Sequence, residues 1–171
     1  MDVSVLKVAL GVVVAAFVIG AAILAVLPGT RIATASHVLP FPVDEVFEIY
    51  STPEQQADWR EDVSMVKMDT AAERKAWTEV PQRGPAMRFE VVEAVRNTKL
   101  ALQFGADGLF AGECEASFEP VGGGTRVTAT EQVSLLSPVA KAMSYVFVDL
   151  DDEIAKFARE AEVELERRRG T

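Results

Sequence analysis

One cysteine, Cys114, and one histidine, His37, occur in the 171-residue chain. A single thiol excludes an intramolecular disulfide, a C-x-x-C redox pair and a cysteine-built zinc cage. A single imidazole excludes the usual two- and three-histidine metal sites. No glycine-rich loop of nucleotide-binding spacing is present: Gly122-Gly123-Gly124 lacks the lysine and the following helix of a P-loop. Basic residues are scarce as well, 17 against 26 acids, for a net charge of −9. A domain of that charge repels phosphate backbones, which argues against nucleic-acid binding. Neither a metal nor another cofactor is expected.

Charge is missing altogether from residues 8–27 (VALGVVVAAFVIGAAILAVL). A helix rises about 1.5 Å per residue, so this run covers about 30 Å, the thickness of a hydrocarbon core. It exceeds the roughly 7–15 residues of a signal-peptide core, and only Lys7 precedes it. Ala33-Thr34-Ala35 does satisfy a cleavage pattern, but cutting there would remove half of the first strand. The expectation is therefore a single-pass N-terminal anchor over 1–30 and one domain over 31–171, with a membrane location. Lys7 and the amino terminus on one side oppose Arg31 on the other, a balance that leans towards a domain outside the cytoplasm. Asp2 and Lys7 are the only charges before Arg31, so the whole net charge belongs to the domain.

The domain reads as strands framed by helices. RIATASHVL (31–39) alternates with period two, and Pro42 opens a helix in which Val43, Val46, Phe47 and Tyr50 share a face. A second short helix follows from Ser51-Thr52-Pro53 to about Trp59. Six short segments come next: 63–68, 74–80, 87–95, 99–104, 109–120 and 125–133, separated by turn residues such as Asn97-Thr98 and Asp107-Gly108. Regular spacing of this kind argues an antiparallel meander. In 109–120, Phe110, Gly112, Cys114, Ala116 and Phe118 take one face while Glu113, Glu115, Ser117 and Glu119 take the other. One sheet face is therefore apolar and one wet. From Pro138 to about Arg168 a single long helix is expected, with Val139, Met143, Val146, Leu150, Ile154, Phe157, Ala161 and Leu165 as its apolar stripe.

Several stretches in this order resemble a known group. FPVDEVFEIYSTPEQQADWREDV places a proline before the first helix and Trp59-Arg60 before the second strand. Trp77-Thr78-Glu79, MRFEVVE (87–93) and GGGTRVTATE before a proline-initiated last helix complete the pattern. Together they resemble the START-like, or SRPBCC, superfamily, in its bacterial polyketide cyclase/dehydrase and lipid-transport branch. The resemblance implies an α+β helix-grip fold, a curved antiparallel sheet of about seven strands packed on the long C-terminal helix. It also implies a cavity between them for a lipid or other hydrophobic small molecule. Ala129, where a larger residue is expected, implies a roomier pocket. Binding or transport of such a ligand beside the bilayer is the function expected. Its alternatives are a cyclase or dehydratase acting on a polyketide-like or aromatic substrate, and a filled domain that docks a protein partner.

Candidate pocket residues are Trp77, Phe89, Phe104, Phe110, Cys114, Phe118, Glu131, Met143 and Phe147. Glu131 shares a strand face with Val127, Ala129 and Val133, so its carboxylate points inward, where it is costly unless paired. It is the first candidate for acid–base work. Its alternative is a place at the open end of the sheet or beside an arginine. Glu79 is a second candidate, with solvation at a strand end as the simpler expectation. Arg60 is expected to cap a helix or form an ion pair. His37 and Ser36 fall on opposite faces, and no G-x-S-x-G elbow exists, so His37 reads as structural.

Overall fold

The computed structural model describes residues 3–170. Within the first helix, the side chains of residues 3, 4, 6, 8, 9, 16, 17, 21, 23 and 24 lie outside the description. That helix, α1, runs Val3–Val26 and ends before Pro28-Gly29. Among the described residues no helix is long and apolar enough to cross a membrane.

Strand β1 (Thr30–Leu39) leads into α2 (Val43–Ser51), which buries Val46 and Ile49. The expected second helix is a 3-10 helix, Pro53–Asp58. Strands β2 (Val63–Met68), β3 (Ala76–Pro81), β4 (Met87–Val95), β5 (Lys99–Ala106), β6 (Phe110–Val121) and β7 (Gly124–Leu135) follow, within about two residues of the segments read from sequence. They form one antiparallel sheet in the order β1-β7-β6-β5-β4-β3-β2. The first strand joins the last because Gly124, at the β6–β7 turn, carries no Cβ to run into the Leu39 carbonyl. On the wet face, hydroxyls pair across strands, Thr34 with Thr130 and Ser36 with Thr128, each at 3.0 Å, and Lys99 bridges Glu93 and Glu115.

The single long C-terminal helix is a correction. Two helices stand there, α3 (Pro138–Phe147) and α4 (Leu150–Arg169), with Val148 and Asp149 in extended conformation between them. Asp149 is the cause: its carboxylate accepts the backbone N–H groups of Asp151 and Asp152, capping a new helix. Asp151, Asp152 and Glu153 in the first turn and Arg167, Arg168 and Arg169 in the last complement the α4 dipole. Only α4 keeps the apolar stripe buried, through Leu150, Ile154, Ala158, Ala161 and Leu165. It packs along β1 and α2, where Ala33, Ala35, Ala129 and Ala116 give a low sheet surface for close approach. Ala129 is thus buried core beneath the helix, and the roomier pocket expected from it is not formed there.

The terminal arginines act inside the fold. Arg167 and Arg168 both bind Glu164, holding its carboxyl at about 2, well below the carboxylate range. Arg168 also reaches Gln55, and Arg169 pairs with Glu45 over the ring of Phe41.

Candidate functional site

Strand register gathers the inward side chains into rows across the sheet. One row is Ala33, Glu131, Cys114, Leu102 and Val91, from β1 to β4. The next is Arg31, Val133, Gly112, Phe104, Phe89 and Trp77, reaching β3. On the opposite side lie Ala35, Ala129, Ala116 and Leu100, and beyond them His37, Val127 and Phe118.

Burial divides this concave face in two. Towards the β6–β7 turn, Leu39, Phe41, Val46, Ile49, Leu100, Ala116, Phe118 and Val127 form a dry core. Towards the other end, Val91, Leu102, Phe89, Phe104, Phe110, Cys114 and Glu131 point the same way yet remain partly reached by solvent. This less covered stretch of the concave face, the trough, lies at the end of the domain that carries Thr30, Leu135 and α3. A surface groove of about 280 Å³ opens at that end, bordered by Phe89, Phe104, Phe110 and Leu136 and, from the outward face, by Arg88, Glu90, Gln103 and Asp107. Its wall is an aromatic ladder: Trp77 stacks on Phe89 at 5.3 Å, Phe89 on Phe104 at 5.6 Å, and Phe110 meets Phe104 edge-on at 6.3 Å. Gly112 makes room for it, because a Cβ there would stand 2.5 Å from the Phe104 ring.

Three polar groups face this apolar space. Glu131 makes no hydrogen bond or ion pair among the described residues; burial, then the charge of Glu153 on α4, raise its carboxyl to about 7 against the opposing pull of Arg60. Burial, then Glu131, push the Cys114 thiol up to about 12. Burial, then Cys114, also hold the Tyr50 hydroxyl above the phenol range. Tyr50, which sequence reasoning assigned only to a helix face, packs edge-on against Phe118 at 5.4 Å and tilted on Phe157 at 4.8 Å. Its place on the Val43, Val46, Phe47 face was the available signal. At neutral pH the Glu131 carboxyl is thus divided between a proton donor and a carboxylate, inside a site with few competing dipoles.

The other candidates fall elsewhere. Glu79 is 1% exposed and bonded twice, by Trp77 Nε1 at 3.0 Å and by Arg60 at 2.9 Å. Solvation at a strand end is thereby corrected: β3 lies between β2 and β4, and the Arg60 guanidinium closes over the carboxylate. Arg60 also binds Asp62 at 2.8 Å and Gln56 at 3.0 Å, and lies over Phe157. Glu79 is therefore a buried partner of Arg60 and Trp77, each of its oxygens holding one of them. Phe118 belongs to the dry core, edge-on to Phe47 at 5.2 Å, so it does not line the trough. Met143 and Phe147 are 53% and 72% exposed. Both were expected in the pocket on the premise of one continuous helix, and the break at Val148-Asp149 turns α3 away from it. His37 and Trp59 each bury a ring nitrogen without a partner among the described residues, Nε2 and Nε1 respectively.

A curved seven-stranded antiparallel sheet gripping a C-terminal helix, with a trough on its concave side, defines a helix-grip domain. Residues 30–162 match the family described as polyketide cyclase / dehydrase and lipid transport, and the chain belongs to that family, within the START-like (SRPBCC) superfamily. No curated protein sequence matches the chain. Among solved structures it is similar to the di-domain aromatase/cyclase StfQ of steffimycin biosynthesis, at 14% identity and a TM-score of 0.65. That alignment covers 83% of this chain and 52% of StfQ, so the chain spans about half the di-domain's length. It is also similar to norcoclaurine synthase of Thalictrum flavum (10% identity, TM-score 0.64, 82% and 96% covered). An uncharacterized protein of Rhizobium leguminosarum gives 19% identity and a TM-score of 0.61, with 81% and 95% covered. At these identities the likeness is one of fold.

Proposed function

We propose that the chain is a membrane-anchored binding protein for a lipid or similarly apolar small molecule, held in the trough between the sheet and α4. The observation that carries this reading is the division of the concave face. Inward apolar side chains from Val91 to Phe110 stay solvent-reached although the same sheet buries Leu100, Ala116 and Phe118 completely enough to be dry. Apolar surface left uncovered on an inner face is costly unless a ligand covers it, at about 25 cal/mol per Å². Glu131, about half protonated near neutrality, supplies a polar anchor for a carbonyl or hydroxyl. The 24-residue α1, with Lys7 as its only charge, supports the anchor and a single crossing, with the domain outside the cytoplasm.

The test is saturable binding of cis-parinaric acid, a fluorescent fatty acid, to residues 31–171. One-to-one binding that Cys114→Trp abolishes is expected, since the indole would fill the centre of the trough. Absence of saturable binding contradicts the reading.

The unpaired state of Glu131 favours a second reading, a cyclase or dehydratase of a polyketide-like or aromatic substrate. A carboxyl near 7 is matched to proton transfer at neutral pH. Under this reading Glu131→Gln loses turnover of such a substrate while keeping the fold and probe binding.

A further inference from the structure

We infer that α3 lies in the interface of the membrane that α1 enters, as an amphipathic helix set flat against the lipid at the mouth of the trough. The inference rests on the anchor reading of α1 and adds to it a second lipid contact.

The first observation is an unpartnered face. Val139, Met143, Val146 and Phe147 recur at helical spacing and are 53–72% exposed, with Leu136 before them and Val148 after them exposed as well. So much apolar area on one short helix is unusual on a water-facing surface. The opposite side is fixed to the domain. Ser144 is buried, and Ser137 caps the helix by accepting the Ala140 N–H at 3.0 Å.

The second observation says what covers that face. Arg31, the first charged residue after α1, donates to the Ser144 carbonyl at 2.7 Å, the Ser144 hydroxyl at 2.8 Å and the Val148 carbonyl at 2.9 Å. Those carbonyls are the open C-terminal end of α3, where a cation is favourable. The Tyr145 hydroxyl donates to the Pro28 carbonyl at 3.2 Å, and the Arg31 guanidinium lies over the Tyr145 ring. Helix α3 is thus clamped at Pro28 and Arg31, just past the place where α1 leaves the apolar run. A helix so tied cannot be far from the headgroups when α1 is inserted.

Charge gives the third. The chain carries 26 acids, yet residues 3–43 contain none and residues 132–148 contain none. The two segments that meet at this end hold Lys7, Arg31 and Lys141 as their only formal charges. Neither segment carries an acid of its own that an anionic leaflet would repel. An apolar face with a sparse basic complement fits the headgroup–acyl boundary, where such a helix sinks about 5–10 Å. The groove beside Phe110 and Leu136 opens at this same end, on the side of the domain that faces the bilayer under this inference.

The experiment uses the full chain carrying Cys114→Ala, reconstituted in phosphatidylcholine–phosphatidylglycerol vesicles. Single cysteines are placed at Val139, Val146 or Phe147 on α3, at Val13 in α1, and at Gly122 in the distant β6–β7 turn, and each is labelled with NBD. Lipids doxyl-labelled near the headgroup are then added as quenchers. Blue-shifted, strongly quenched emission at all three α3 positions, with water-like unquenched emission at Gly122→Cys, is the expected result. Quenching at Val13→Cys with none on α3 overturns the inference and leaves the anchor standing. Quenching at neither helix overturns both. Blue-shifted but unquenched α3 labels that cross-link between copies would show the face covered by a second copy, which also overturns it.

Discussion

Glu131 and Glu79 are two inward carboxylates on one sheet, and their partners give them opposite roles. Glu79 has Arg60 and Trp77 and is a fixed ion; removing its charge leaves the Arg60 guanidinium, itself 12% exposed, short of one of its two carboxylates. Glu79→Ala is expected to cost about 3–5 kcal/mol, measured by urea unfolding of residues 31–171. Among the described residues Glu131 has no hydrogen-bond or ion-pair partner, so its ionisation opposes folding. Its carboxyl stands at 4.5 unfolded and about 7 folded, so the folded state holds the proton more tightly. Stability is therefore full below about pH 4.5, and is lost as pH rises towards 7, by about 3 kcal/mol in all. Glu131→Gln should flatten that slope and be more stable than the parent at pH 8, with little difference at pH 4. A parent whose stability is flat between pH 4.5 and 7 would contradict the unpaired state. The inward direction of Glu131 was legible from period two alone, with Val127 and Val133 as its guides. The pairing of Glu79 was not, because Arg60 lies nineteen positions away and reaches it from a helix end across β2.

At the scale of elements, the strands were readable because one face alternates with the other, most clearly in β6. The break between α3 and α4 was not read, although its mark is present: Asp149 stands just before Asp151, Asp152 and Glu153, the composition of a helix start. A continuous apolar period across the break masked it, since Val146, Leu150 and Ile154 fall in step whether or not the helix is whole. The consequence reached the site, for Met143 and Phe147 follow α3 outward. Dryness was equally hidden. Phe118 and Phe104 have the same pattern in sequence, and only the docking of α2 through Phe47 and Tyr50 separates core from trough. Two outcomes follow at this scale. Asp149→Ala removes the cap of α4 and should cost about 1 kcal/mol in thermal or urea unfolding. Arg31→Met releases the C-terminal end of α3, so limited proteolysis between residues 136 and 148 should speed up while the unfolding midpoint of the sheet hardly moves.

For the molecule as a whole, the arrangement is polarised. The dry core lies towards the β6–β7 turn; the trough, α3 and the exit of α1 lie at the other end. Every described residue of the core cluster falls between Ala33 and Leu165, within residues 31–171. The superfamily could be read from the order of short motifs, and the family match confirms it over residues 30–162. Ligand identity could not, because a trough lined by phenylalanine, valine and leucine selects for apolarity and leaves chemical detail to Glu131 and Tyr50. The most direct test of the trough as a binding site is native mass spectrometry of residues 31–171 purified without detergent, alongside lipid extraction of the same sample. A stoichiometric apolar species in the parent, absent from Cys114→Trp at unchanged stability, is the expected result. An empty parent, with Cys114→Trp destabilised by the 1–3 kcal/mol or so of an overpacked interior, would show the concave face filled by its own side chains and contradict it.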